Sequence, residues 1–231
     1  MSAEEKITKS ERYQLSAKSV PRDILLIDKP KGITSFGVIR ILRRKLGVKK
    51  MGHAGTLDLL ATGLLLIGVG ADTKQLYKLL GLPKTYFVEV FFGCRTTTGD
   101  MEGKILEQKT ITELDEKKLE LAIKQLVGVL KLSVPIYSAV KQKGVPLYKK
   151  ARQGKTVIPP IREMKVFRAR LLKHNKKDKG YIAHLEINVA SGVYIRSVVE
   201  ELGRILDVPA VVKELRRTQI GEFDIKNAQQ L

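Results

Sequence analysis

At 231 residues, 43% of them hydrophobic, the chain can bury a core of its own and has room for one large domain or two small ones. Its 43 Lys and Arg against 24 Asp and Glu give a formal net charge of +19, more than solubility requires, so a polyanionic partner is expected, nucleic acid before a membrane surface. A single cysteine, Cys94, excludes an intramolecular disulfide, and His53, His174 and His184 lack zinc-ligand spacing; no apolar run approaches the ~20 residues of a membrane span, and 6% aromatics without tryptophan argue against a broad base-stacking platform. These features predict a cytoplasmic protein with no structural metal, and a monomer without a cofactor is expected.

In chain order, residues 1–22 are polar and unpatterned and are expected to form a loosely attached N-terminal extension, with residues 23–231 as the folded part. "DILLIDKPKG" reads as a short apolar strand entering a Pro/Gly turn. "TSFGVIRILRRKLG" then reads as a helix capped by Thr34 or Ser35, with Val38, Ile41, Leu42 and Leu46 near one face and Arg40, Arg43, Arg44 and Lys45 on the other. That basic face continues through Lys49 and Lys50 and is either a solvated surface or a nucleic-acid contact. "GLLLIGVG" is a strand and "DTKQLYKLLG" a short helix ended by glycine. "KTYFVEVFFG" is a strand placing Tyr86, Val88, Val90 and Phe92 on one face. Leu119, Ala122, Ile123 and Leu126 make "TELDEKKLELAIKQLVG" the clearest helix. "MKVFRARLLKH" and "YIAHLEINVA" form a hairpin, the second strand alternating through Tyr181, Ala183, Leu185, Ile187 and Val189. "YIRSVVEELGRIL" and "VPAVVKELRRT" both read as helices. Strands and helices interleave without a regular βαβ period, so the expected class is α+β, a mixed or antiparallel central sheet flanked by helices with a basic cleft.

The segment "KKMGHAGTLDLLATG", residues 49–63, holds three glycines, His53 and one acid, Asp58. Taken alone, Asp58 is a turn residue, a metal ligand or a nucleophile, and the turn reading is the ordinary one because Asp accepts backbone N–H bonds in turns. No phosphate-cradling P-loop pattern, G-x-S-x-G elbow or Cys–His pairing is present.

Several segments in this order, "DKPKGITS", "KKMGHAGTLDLLATGLLLIGVGADTK", "KTYFVEVFFG", "IYSAVKQKGVPLYKKARQG" and "GVYIRSVVEELG…LRRTQIGEF", resemble the TruB family of tRNA pseudouridine synthases, over roughly residues 24–224. The resemblance implies the pseudouridine synthase fold and cofactor-independent isomerisation of a T-loop uridine, conventionally position 55, in the T-arm of tRNA. It makes Asp58 the catalytic carboxylate. Arg196 matches the arginine that pairs with it, and a guanidinium favours the charged form of a neighbouring carboxylate. Tyr86 matches the tyrosine stacked on the target base. Tyr194 and Leu215 match pocket walls, His53 the group that fills the space of the extruded uridine, and Lys29 with Pro30 a "KP" motif buttressing the site. Leu59 and Ile136 stand where the family usually has proline, and Ser191 and Val193 where it has Lys and Thr. Relatives normally continue into a PUA-type RNA-binding domain, which is expected to be missing here. The alternatives are a noncatalytic T-loop binder or tRNA-folding chaperone, and a synthase acting on another T-loop-like RNA.

Overall fold

Residues 24–231 are described by the structure, a computed structural model, and the N-terminal extension expected over residues 1–22 lies outside them. In chain order the elements are β1 (Ile24–Lys29), α1 (Ser35–Leu46), β2 (Met51–Ala54), β3 (Thr62–Val69), a 3₁₀ turn (Gly70–Gln75), α2 (Leu76–Leu80) and β4 (Lys84–Phe92). Next come β5 (Cys94–Thr96), β6 (Ile105–Gln108), α3 (Glu116–Gln125), β7 (Gly128–Ser133), β8 (Lys141–Gln142), β9 (Val145–Pro146) and α4 (Leu147–Arg152). The chain finishes with β10 (Ile161–Lys177), β11 (Gly180–Val189), α5 (Ile195–Leu206), β12 (Ala210–Ile220), β13 (Phe223–Asp224), a 3₁₀ turn (Ile225–Asn227) and β14 (Gln229–Gln230).

One mixed sheet, ordered β14-β1-β3-β12-β4-β11-β10-β7, organises the molecule, with β2 added to β3 and β13 to β12. β12 runs parallel to β3 and antiparallel to β4, so the expected α+β class with a mixed sheet is what forms. On one face of the central strands, α3 and α5 bury Leu119, Ile123, Val198 and Leu202 against Val88, Val90, Leu185 and Ile187. β1 and β3 are covered on both sides: α1 packs Val38, Ile39 and Leu42 onto Leu25, Ile27, Leu65 and Ile67, while Leu76 of α2 meets Leu26, Leu64 and Leu66. Two buried faces explain why β3 reads as an unbroken apolar run rather than an alternating one.

The local expectations hold where periodicity is strong. Thr34 caps α1, its hydroxyl accepting from Gly37 N at 2.9 Å, and Gly47 ends the helix at φ 66°. β4 alternates as expected, with Tyr86, Val88, Val90 and Phe92 buried. One expectation is overturned: "VPAVVKELRRT" is not a helix but β12, a central strand bonded to both β3 and β4. Its charged half favours a helix by local propensity, yet the slot between two strands satisfies its backbone and buries Val211, Val212 and Leu215, and that long-range gain prevails. The stretch before Asp58 also differs from a simple loop, since residues 51–54 pair with β3 as an edge strand.

Candidate active site

Asp58 sits in the connection from β2 to β3, held by segments distant in sequence. Leu57 N donates to Ser35 Oγ at 2.9 Å, Gly32 N donates to Leu59 O at 3.0 Å, and Ala61 N donates to Asp58 O at 3.2 Å. The start of α1 and the turn before it therefore fix the backbone on both sides of the carboxylate. Leu57, Leu60 and Ala61 face inward and join the main core, which leaves the intervening Asp58 side chain 40% exposed.

Arg196, the second residue of α5, is buried with its side chain only 5% exposed, and its Nε lies 3.0 Å from Asp58 Oδ2. The rest of the guanidinium is tied down: Nη1 donates to Thr98 O at 2.8 Å and Nη2 to Tyr137 O at 3.2 Å, while Asp100 Oδ2 stands 3.8 Å from Nη1. Asp100 is itself fixed, accepting from Thr98 Oγ1 at 2.5 Å and Glu102 N at 3.1 Å. One arginine thus lies between two carboxylates, with its donors aimed by carbonyls.

Arg196 favours the charged form of Asp58, as expected, but it is not the largest influence on that carboxyl. Burial pushes the Asp58 carboxyl above the ordinary carboxylate range; Arg196 opposes this by charge and hydrogen bond, Asp100 adds to it, and Lys29 opposes it more weakly. Desolvation outweighs the guanidinium. The charge of Lys29 reaches Asp58 although its Nζ bonds to Pro30 O at 3.0 Å and Ile33 O at 2.8 Å; burial lowers its pKa to about 8.

Tyr86, Tyr194 and Leu215 are brought into the same cluster as the residues flanking Asp58. Tyr86 is 8% exposed on β4 and Leu215 6% exposed on β12, opposite Val88. Tyr194, at the N-cap of α5, packs half-buried against that cluster. His53 lies on the edge strand β2, opposite Ile67 of β3. Its Nδ1 is buried without a hydrogen-bond partner among the described residues, and burial, then Arg217, lowers its proton affinity. Among the described residues no group of three or more His, Cys, Asp and Glu could hold a metal ion, and no helix is long and apolar enough to cross a membrane.

Sequence reasoning assigned no role to Asp100 or Arg217, and Ser35 figured only as a candidate helix cap. Arg217 stands in the quoted "LRRT", and Asp100 follows a run of three threonines, but each acquires meaning only from a partner far along the chain.

The sheet with its carboxylate–guanidinium pair at the mouth of α5 is the pseudouridine synthase fold. It aligns with a solved Cbf5–Nop10–Gar1 complex at a TM-score of 0.66 and 25% identity, covering 90% of this chain and 52% of that one. A solved H/ACA RNP bound to a substrate RNA containing 2′-deoxyuridine aligns at 0.65 and 24% identity, over 90% and 50%. The chain belongs to the TruB family of pseudouridylate synthases, whose N-terminal domain matches residues 43–195. It is 43% identical over 206 residues to a tRNA pseudouridine synthase B of Xylella fastidiosa, covering 87% of this chain and 66% of that protein. It is 37% identical to one of Leifsonia xyli subsp. xyli, over 90% and 70%. The chain spans about two thirds of the length of these relatives, 66% of the Xylella fastidiosa protein and 64% of that of Xanthomonas oryzae pv. oryzae.

Proposed function

We propose that this chain converts a T-loop uridine of tRNA, position 55, to pseudouridine, with Asp58 as the catalytic carboxylate. The observation that carries the reading is the 3.0 Å pair between Asp58 and a buried Arg196, within a family whose curated relatives are named tRNA pseudouridine synthase B. The reaction breaks the C1′–N1 bond, turns the uracil, joins C5 to C1′, removes the C5 proton and protonates N1. Atoms and charge balance without an oxidant or co-reactant. The carboxylate assists by attacking C1′ or by taking a sugar proton, and both routes need it ionised and desolvated.

The other side chains fit supporting roles. Tyr86 and Leu215 offer an aromatic and an aliphatic surface for a flipped base, and Tyr194 closes the wall beside Arg196. His53, with its lowered proton affinity, is suited as a neutral ring to fill the space the uridine leaves. Lys29 braces the turn after β1 through its two carbonyl contacts. The net charge of +19 supplies attraction to the phosphate backbone.

The test is to incubate the protein with unmodified tRNA transcript and map pseudouridine by carbodiimide-dependent primer-extension stops. Conversion in the T-loop by the wild type and none by Asp58→Asn is the expected result. Tight tRNA binding without conversion by the wild type would establish the noncatalytic reading instead, and stops only in another RNA would reassign the substrate.

A further inference from the structure

We propose that Arg217 is a positioning residue that fastens both ends of the loop carrying Asp58 to the central strand β12. The proposal rests on reading that loop as the catalytic one. Arg217 lies opposite Gly63 of β3 and Tyr86 of β4, and it is 1% exposed. Its Nη2 donates to Gly55 O at 2.9 Å, where the loop begins, and its Nε donates to Leu64 O at 2.7 Å, where the loop has re-entered the sheet. One planar fork therefore spans residues 55–64 and bonds to backbone at each side.

Both loop ends are glycines shaped to the approach of Arg217, Gly63 to its backbone and Gly55 to its side chain. Gly63 has φ +101°, and a Cβ there would lie 2.3 Å from Arg217 O and 2.8 Å from its N, closer than non-bonded atoms approach. Gly55 has φ +79°, and a Cβ there would come within 3.3 Å of Arg217 Nη1. Glycine at these two points serves the approach of β12 and its arginine as well as the left-handed backbone.

A buried guanidinium satisfied by carbonyls fixes geometry rather than neutralising an acid. β12 also carries Leu215 and lies beside Tyr86, so Arg217 ties Asp58, the pocket wall and the tyrosine to one frame. The 3.0 Å approach of Asp58 to Arg196 depends on that frame, because the Arg196 guanidinium is held separately by Thr98 O and Tyr137 O. A loop free at one end lets the carboxylate drift, and displacements near 1 Å lower rates about a hundredfold. The same charge lowers the proton affinity of His53, Lys29 and Lys84, which places all three within its field.

The test uses Arg217→Lys, whose single ammonium keeps the charge but cannot form the two-ended fork, and Arg217→Met, which keeps the stem without donors. In hydrogen exchange, amides of residues 55–63 should exchange at least about tenfold faster in Arg217→Lys, while those of β11 and α5 keep wild-type protection. Turnover of tRNA should fall about tenfold in Arg217→Lys and about a hundredfold in Arg217→Met, with KM changing less than kcat, since the buried Arg217 offers no surface of its own to tRNA. In Arg217→Met the His53 ring should titrate at higher pH by NMR; if that variant does not fold, Arg217→Lys decides alone. Wild-type loop exchange in Arg217→Lys would overturn the fastening, and faster exchange with unchanged kcat would overturn its role in positioning. If the wild type itself converts no tRNA yet the loop loosens as described, the fastening stands and the functional reading falls.

Discussion

Two buried lysines give this fold a pH dependence opposite to that of a salt-bridged protein. Burial lowers the pKa of both Lys29 and Lys84 from 10.5 to about 8, and the field of Arg217 contributes to each. Both side chains bond only to uncharged oxygens in the contacts that hold them, Lys84 Nζ reaching Leu80 O and Leu82 O at 2.7 Å and Ser191 Oγ at 3.1 Å. Below pH 8 each lysine is protonated in both states, and the full penalty of a buried charge is present. Between about 8 and 10.5 the unfolded chain keeps a proton that the folded chain has released, so unfolding takes up a proton and stability rises with pH. The gap is worth about 3 kcal/mol per lysine at full relief, since each tenfold step is about 1.4 kcal/mol. Urea denaturation followed by circular dichroism at pH 7, 8, 9 and 10 measures it, fluorescence being limited by the absence of tryptophan. The informative comparison is with Lys29→Met, which should lose about half of the lysine-dependent slope, because other groups titrate alike in both proteins and cancel. Identical slopes for wild type and variant between pH 8 and 10 would refute the reasoning.

Asp58→Asn should retain the fold and tRNA affinity while abolishing pseudouridine formation, as filter binding and primer extension will report. Arg196→Lys should reduce kcat at least about a hundredfold, because one ammonium cannot face Asp58, Thr98 O and Tyr137 O together. Turnover should rise with pH through an inflection above the ordinary carboxylate range, set by burial of Asp58. Asp100→Asn should move that inflection to lower pH by removing a like charge, and a shift to higher pH would contradict the assignment. If the basic surface meets about five phosphates, log affinity for tRNA should fall against log salt with a slope of about −3 to −5.

What the sequence revealed divides by range. The alternation of β4 and the spacing of α3 are properties of ten or so consecutive residues, and both were legible. β12 was not, because Lys213, Glu214, Arg216 and Arg217 favour a helix locally and its pairing with β4 shifts register between Val212 and Glu214 and again between Arg217 and Gln219. Those irregularities erase the two-residue period that would have marked a strand. At the site, Asp58, Arg196 and Tyr86 were recognisable through their motifs. The partners that fix the site were hidden by distance: Ser35 meets Leu57 across 22 residues, Arg196 meets Thr98 across 98, and Arg217 meets Gly55 across 162. The net proton affinity of Asp58 was hidden for the same reason, since the arginine is visible in sequence and the desolvation that outweighs it is not.

That raised affinity bears on how the site works. A carboxylate flanked by a guanidinium alone would be held firmly ionised, and its lone pairs would be correspondingly weak toward carbon or a proton. In this fold burial and the second carboxylate, Asp100, work against Arg196, so Asp58 is a stronger base than a surface aspartate. Asp100 faces the same guanidinium from Nη1 at 3.8 Å, while Nε serves Asp58 at 3.0 Å. The arrangement demands that the loop be held from outside the charge pair, because an acid pushed upward by burial gains by swinging toward solvent. Ser35 and Arg217 supply that restraint through neutral backbone groups, leaving the electrostatics of the pair untouched. Removing the restraint and removing the charge are therefore separable perturbations: the first loosens the loop, and the second alters the pH at which Asp58 ionises.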